Sequence, residues 1–131
     1  MEDYEFDTLE TGRSLKNNQR LIAALDAATH FELIFEDGVL ILMKMVIVGY
    51  EKDGSVELWS SAESTDIEGP YELKMQKDGN LVIYGKENKV IWSLKHNDFD
   101  TKELVLDNKG DLYLTYKSGK PPKYIYRSQE E

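Results

Sequence analysis

The sequence predicts an all-β protein with internal pseudo-threefold symmetry, and three observations lead to this fold class. A hairpin motif occurs three times along the chain, each time as two short strands around a glycine. Valine, isoleucine, leucine and tyrosine dominate these strands, and such residues favour extended structure. A further short strand, which ends near an aromatic residue and a serine, follows each hairpin. Self-similarity at a fixed period indicates three structural units of the same kind.

The three hairpins align on a Glu-Leu pair and on the glycine of the turn. They span Phe31–Leu42, Tyr71–Tyr84 and Lys102–Thr115, with turns at Gly38, Gly79 and Gly110. The first copy has one residue fewer before its turn. We therefore assign the whole chain, residues 1–131, to one domain with repeats over about 21–61, 62–94 and 95–128, after an acidic end at 1–7.

The short strands after the hairpins carry the aromatic residues Trp59, Trp92 and Tyr126, which lie 33 and 34 residues apart. We expect them to meet near the internal axis, because their burial there removes a large apolar area from water. Three dipeptides predict the turns before these strands: Asp53-Gly54, Glu87-Asn88 and Ser118-Gly119. The segment from Leu21 to Ala28 has a helical composition, but the repeat predicts a strand and a turn there.

Composition excludes several classes of partner. The chain of 131 residues has a net charge of −9, which argues against nucleic acid and against an anionic membrane surface. The most apolar run, residues 39–48, contains Lys44 and is too short to cross a bilayer. Because there is no cysteine and no secretory signal, we expect a cytoplasmic protein, with secretion by another route left open.

Catalysis has little support in the sequence. The two histidines, His30 and His96, belong to no motif, and Asp98 and Asp100 lie in an acidic loop that we expect to be solvated. Phosphate-loop, zinc and calcium patterns do not occur. We therefore expect no enzyme activity, no cofactor and no metal.

The second hairpin carries a more specific signal. Its residues Gln76, Asp78, Asn80, Val82 and Tyr84 match the signature Gln-x-Asp-x-Asn-x-Val-x-Tyr, and the segment Leu9–Leu21 matches an opening Leu-x-x-Gly-x-x-Leu-x-x-x-x-x-Leu pattern. In these residues the chain resembles the bulb-type lectins, the monocot mannose-binding family, over about residues 8–128. The resemblance implies a β-prism II fold of three four-stranded antiparallel sheets, each able to carry one shallow sugar site on its outer face.

The resemblance also implies roles for the five residues. Gln76, Asp78 and Asn80 would hydrogen-bond O2 and O3 of mannose, Tyr84 would reach O4, and Val82 would contact the ring carbons. The chemistry of the residues agrees with this assignment, because sugar hydroxyls both donate and accept, and therefore suit a carboxylate next to amides. Alternation along a strand places Asn80, Val82 and Tyr84 on one face, with Leu81 and Ile83 on the other.

The sister copies keep the turn and the inward leucines but lose this polar set, so the fold does not require it. The third copy has Asp107, Lys109, Asp111, Tyr113 and Thr115 at these positions. Lys109 replaces the acceptor carboxylate, so we expect this site to be degenerate for mannose, with another ligand left open.

The first copy has Glu36, Asp37, Val39, Ile41 and Met43 at the corresponding positions. This face has become apolar, which indicates either a longer buried strand or a protein interface at Val39, Ile41, Met43 and Val46. A homodimer formed there would restore bivalency to a lectin with one intact site.

The sequence thus predicts a non-catalytic lectin that binds terminal mannose or mannosyl glycans through Gln76, Asp78, Asn80, Val82 and Tyr84. The alternative is a β-prism protein-interaction or scaffold module with little or no sugar binding, because two of the three sites are degraded.

Overall fold

The computed structural model describes residues 7–47 and 54–128. These residues form twelve strands and one short 3-10 helix at Lys86–Asn88. The strands are β1 (Thr8–Glu10), β2 (Arg13–Lys16), β3 (Arg20–Ala24), β4 (Thr29–Glu36), β5 (Val39–Val46), β6 (Val56–Ser60), β7 (Glu72–Met75), β8 (Leu81–Tyr84), β9 (Val90–Ser93), β10 (Thr101–Leu106), β11 (Leu112–Tyr116) and β12 (Lys123–Tyr126).

The strands form three four-stranded antiparallel sheets, which confirms the predicted fold class. Sheet 1 has the order β3-β4-β5-β6, sheet 2 the order β2-β7-β8-β9, and sheet 3 the order β1-β10-β11-β12. Only sheet 1 is continuous in sequence. Sheets 2 and 3 each take three strands from one repeat and their remaining edge strand from the N-terminal segment.

Three leucines explain how one N-terminal segment supplies an edge strand to every sheet. Leu9, Leu15 and Leu21 are spaced six residues apart and are each at most 5% exposed. Each lies opposite the leucine of a Glu-Leu pair in its own sheet: Leu9 opposite Leu104, Leu15 opposite Leu73, and Leu21 opposite Leu33. The even spacing keeps every leucine on the inward face of its strand, and together these pairs form the central core.

Two of the three aromatic residues expected to meet, Trp59 and Trp92, are in contact. The rings of Trp59 and Trp92 meet edge to face, with their centroids 5.9 Å apart, and both residues and Tyr126 pack against the leucine core. The segment after Arg20 is a strand up to Ala24, and not a helix. At the predicted turns, Glu87, Asn88 and Gly119 all have positive φ angles. The first residue of the Asp53-Gly54 pair lies outside the described residues.

Within residues 7–47 and 54–128, the structure has no helix with the length and hydropathy of a membrane span. Alternation along the strands gives each sheet an inner face of leucines and an outer face of mixed composition. On β7, for example, Leu73 and Met75 are fully buried while Glu72 and Lys74 are half-buried. The outer faces are therefore where the three copies can differ without disturbing the core.

Candidate functional site

The five residues of the signature lie on sheet 2, around the turn between β7 and β8 and along β8. The turn is closed by backbone hydrogen bonds from Gln76 N to Asn80 O (3.0 Å) and from Gly79 N to Gln76 O (2.9 Å). Gly79 has a φ of +91°, a value that favours glycine. This tight turn brings Gln76 and Asp78, which precede it, next to Asn80, which follows it.

Gln76 connects the two ends of the site. Its Nε2 donates to both carboxylate oxygens of Asp78, at 3.2 and 3.3 Å. Its Oε1 accepts a short hydrogen bond from the hydroxyl of Tyr84. The carboxylate of Asp78 also accepts the backbone N–H of Asn80 at 2.9 Å, which holds the turn. The structure thus joins Gln76, Asp78 and Tyr84 through their side chains and Asn80 through its backbone N–H. That these residues form a sugar site stays a prediction.

Asn80 is held by residues that the sequence reasoning did not assign to the site. Its Nδ2 donates to Ser93 Oγ at 2.9 Å, and its Oδ1 accepts from Ser93 Oγ and from the backbone N–H of His96, both at 3.2 Å. The signal for Ser93 was present, since a serine follows the aromatic residue in each repeat. These three bonds fix the orientation of the Asn80 amide.

The loop after β9 supports the turn from behind. The backbone N–H of Asp98 donates to the carbonyl of Asp78 at 2.8 Å. The ring of His96 bridges the Gly79 carbonyl and the Tyr116 hydroxyl, at 2.9 and 2.8 Å. His96 is therefore a half-buried structural residue that joins sheets 2 and 3. The sequence predicted neither this role nor the contact of Asp98 with the turn.

Val82 forms the floor of the site. It lies on β8 between Lys74 on β7 and Ser93 on β9, and it is 3% exposed. The resemblance implies that Val82 contacts the ring carbons of a sugar, and its position on this face fits that role. Because so little of its surface is open, the apolar contact that it offers is small, and the polar residues around it define most of the site.

The site keeps hydrogen-bonding capacity that its internal bonds do not use. A carboxylate has about four lone-pair positions, and each amide nitrogen carries two hydrogens. Asp78 can therefore accept one more donor at Oδ2, and the Asn80 amide nitrogen can donate once more. The Gln76 amide nitrogen also keeps one hydrogen when a single hydrogen is shared between the two oxygens of Asp78. The Tyr84 oxygen can accept while its hydrogen is directed to Gln76. One acceptor carboxylate between two donors is the pattern that a pair of neighbouring hydroxyls requires.

The corresponding region of sheet 3 is organised differently. The Asp107 carboxylate caps its own turn by accepting the backbone N–H groups of Lys109 and Asp111, at 2.9 and 3.1 Å. Tyr113, at the position of Val82, packs on Tyr124 with ring centroids 5.1 Å apart. Burial, together with the charge and the hydrogen bond of Asp107, raises the pKa of Tyr113.

The remaining residues of the third hairpin do not form the hydrogen-bonded arrangement of the second hairpin. Asp111 is 5% exposed, and its carboxylate accepts the backbone N–H of Ser128 at 2.7 Å. Thr115 stands at the position of Tyr84, and its hydroxyl is buried without a hydrogen bond to any residue that the structure describes. Lys109 is exposed. The polar chain that joins Gln76, Asp78 and Tyr84 has no counterpart here.

The outer face of sheet 1 is apolar at three of the predicted interface positions, Val39, Ile41 and Met43. Val46 lies an odd number of residues further along β5, which places it on the other face. Val39 is 5% exposed, while Ile41, Met43 and Val46 are half-buried. Glu36 and Asp37 are exposed at the turn. These residues reproduce none of the polar set of the second hairpin, and the interface that we predict there stays a prediction.

One buried ion cluster interrupts that apolar face. Glu32 is 4% exposed, and its two carboxylate oxygens contact Arg20 Nη1 and His30 Nε2, each at 2.7 Å. Burial raises the pKa of Glu32, but the hydrogen bonds and charges of His30 and Arg20 outweigh it, so the pKa lies below its usual value. His30 therefore has a structural partner. Among the described residues, no group of three or more histidine or acidic side chains is arranged to hold a metal ion.

Comparisons with known proteins place this geometry in context. Neither the protein-family models nor the curated proteins match this sequence. Solved structures do match, among them a monomeric monocot mannose-binding lectin from Gastrodia elata, with 25% identity, a TM-score of 0.64, and coverage of 92% of this chain and 94% of that one. This chain and the Gastrodia elata lectin share the β-prism II fold of the bulb-type lectins.

Two further matches are complexes with sugars. The Polygonatum cyrtonema lectin, solved with a monomannoside, is 24% identical with a TM-score of 0.62, and the match covers 82% of this chain and 87% of that one. The snowdrop (Galanthus nivalis) agglutinin, solved with methyl-α-D-mannoside, is 20% identical with a TM-score of 0.60, and the match covers 95% and 93%. All three of these matching structures are named as lectins, in agreement with the prediction that the chain is not an enzyme.

Proposed function

We propose that the protein is a lectin that binds terminal mannose or mannosyl glycans at Gln76, Asp78, Asn80, Val82 and Tyr84. The observation that carries the proposal is the hydrogen-bonded set on the outer face of sheet 2. There, Gln76 joins Asp78 to Tyr84, and Ser93 and His96 orient Asn80. A set that is ordered before the ligand arrives loses less conformational freedom on binding.

Each polar group has a role in this proposal. The free acceptor position of Asp78 takes the hydrogen of one sugar hydroxyl, and the amide nitrogens of Gln76 and Asn80 donate to the oxygens of that hydroxyl and its neighbour. Tyr84 accepts from a third hydroxyl at the far end of the site. Val82 contacts a ring carbon over a small area. Affinity for a single sugar is modest, because one face of the ligand stays in water.

A glycan array tests the proposal directly. We expect the wild type to bind mannose-terminated glycans, and Asp78→Ala to lose that binding. An array without mannose binding by the wild type would remove the lectin proposal and leave the protein-interaction module. That second candidate is favoured by the apolar positions Ile41 and Met43 on the outer face of sheet 1.

A matched pair of variants separates recognition from folding. Asp78 and Asp107 share one contact, because each carboxylate accepts a backbone N–H two residues further on at 2.9 Å. Asp107 stands at the repeat position of Gln76 and also accepts the backbone N–H of Asp111. Asp78→Asn keeps an acceptor for the turn but removes the charge, and we expect its affinity for mannoside to fall about 10- to 100-fold. Asp107→Asn makes the same change on sheet 3, and we expect wild-type affinity. If Asp107→Asn lost affinity while Asp78→Asn kept it, the sugar would bind on sheet 3.

A further inference from the structure

A lysine borders the candidate sugar site on the side that faces β2. Lys74 lies on β7 directly opposite Val82, the floor of the site, and adjacent strands are about 4.8 Å apart. Its ammonium lies 5.3 Å from the centre of the Tyr84 ring. No carboxylate of the described residues lies within ion-pair distance of this ammonium. The Lys74 ammonium can therefore pair with an anionic group at the end of the site where Tyr84 lies.

The repeat itself shows that the fold does not need a lysine at this position. The residues that correspond to Lys74 in the other two hairpins are Ile34 and Val105. Both are residues that favour strands, and each occupies the same place in its own sheet. The lysine thus occurs only in the copy that retains the whole polar set, which is the pattern expected of a residue that contacts a ligand.

An open cavity of about 250 Å³ adjoins the site next to Lys74. Its lining includes Gln76 of the site together with Arg13, Ser14, Glu72 and Lys74. Burial raises the pKa of Glu72, but hydrogen bonds from Ser14 and Lys16 and the charges of Lys16 and Lys74 outweigh it and lower that pKa. The lining residues carry two positive charges, on Arg13 and Lys74, and one negative charge, on Glu72, which also pairs with Lys16 at 3.2 Å. A local excess of positive charge contrasts with the net charge of −9 of the chain.

We propose that the site selects mannosyl ligands that carry an anionic group, and that Lys74 is the residue that recognises this group. The inference rests on the proposed function, because the sugar ring must occupy the Gln76–Tyr84 site. With O4 of the sugar at Tyr84, the exocyclic O6 lies on the same edge of the ring and faces Lys74. A phosphate or sulfate ester on O6 then accepts hydrogen bonds from the Lys74 ammonium, and Arg13 adds attraction from the exposed rim.

The test compares two ligands on the same protein. Methyl α-D-mannopyranoside and its 6-phosphate are titrated into wild-type protein, with the backbone amide resonances of Gly79 and Asn80 as reporters. We expect the 6-phosphate to bind about fivefold more tightly, as for one partly exposed ion pair. About 0.5 M NaCl reduces the preference, since it screens exposed charges. In Lys74→Gln the two affinities become equal, and Lys74→Arg retains the preference.

Control variants and competing ligands show whether a given result contradicts the inference about Lys74 or the proposed function itself. Lys123→Gln removes the same charge on sheet 3, and we expect it to keep the preference; loss of the preference there would show a long-range charge effect and overturn the inference. The inference is also overturned if the wild type binds both ligands equally, or if the preference survives in Lys74→Gln. Either result leaves the lectin proposal intact. Inorganic phosphate that binds as tightly as the 6-phosphate overturns it as well. Absence of binding by both mannosides contradicts the proposed function itself.

Discussion

Replacement of Gly79 by alanine tests whether the turn of the site depends on close contact with the loop after β9. Gly79 has a φ of +91°, and a Cβ atom there would overlap the carbonyl oxygen of Asp98 and stand 2.7 Å from Thr101 Oγ1. The loop would have to move away. That movement would break the 2.8 Å bond from Asp98 N to Asp78 O, which supports the turn.

The size of the effect follows from three contributions. A left-handed backbone costs a residue with a side chain roughly 1–2 kcal/mol. The lost backbone hydrogen bond costs about 1 kcal/mol, and the steric displacement about 1–3 kcal/mol. We therefore expect Gly79→Ala to lower the free energy of unfolding by roughly 4 kcal/mol. Because the Asp78 backbone loses its support, mannoside binding should weaken as well.

Gly119 provides the matched control. Its φ is +85°, but a Cβ atom there would meet nothing within 4 Å. Gly119→Ala should therefore cost only the backbone strain, about 1–2 kcal/mol. Urea unfolding followed by tryptophan fluorescence gives both values under the same conditions. Equal losses in the two variants would refute the reasoning, because the contact with Asp98 would then carry no measurable energy.

Two other predictions concern sheet 1. Glu32→Gln should lower the free energy of unfolding at pH 7 by about 1–3 kcal/mol, since Arg20 loses a charged partner in a buried setting. The pKa of Glu32 is lowered in the folded state, so this stabilisation is present above the unfolded pKa and disappears as the pH falls through the folded value. In urea unfolding, the difference from wild type should be largest at pH 7 and should shrink as the pH is lowered. Glu103→Gln, at the same repeat position on sheet 3, should show little effect at any pH. A pH-independent loss in Glu32→Gln would contradict this reading. If the apolar face forms a homodimer, Ile41→Glu should produce monomers in analytical ultracentrifugation, whereas a wild type that is monomeric at all concentrations would remove that hypothesis.

Much of the second hairpin could be predicted from sequence because its determinants are local. The glycine at position 79, the alternation along β8 and the spacing of Gln76, Asp78 and Asn80 together place the polar side chains around one turn. Comparison with the sister hairpins then separates what the fold needs from what it does not. The structure brings Gln76, Asp78, Asn80 and Tyr84 together around this turn, and their role in sugar binding stays a prediction.

Other features depend on residues far apart in the chain. The repeated serine singled out Ser93, but the sequence did not indicate that this serine and His96 hold the Asn80 amide, or that Asp98 supports the turn. A loop's position relative to another strand is set by packing. Likewise, the alternation put Val82 on the outer face, but only its neighbours on β7 and β9 decide that it is 3% exposed. Periodicity assigns a face; it does not assign what covers that face.

The sequence by itself determined the three hairpins, their turns and the copy that carries the intact polar set. The tertiary structure alone decided that Leu9, Leu15 and Leu21 each enter a different sheet. One N-terminal segment thereby supplies the fourth strand of each of the three sheets. The physical reason is that a period of two specifies which side chains point inward, but not which strand lies beside them. The choice of partner strand depends on burying each leucine opposite its own partner, Leu104, Leu73 or Leu33, around a common core.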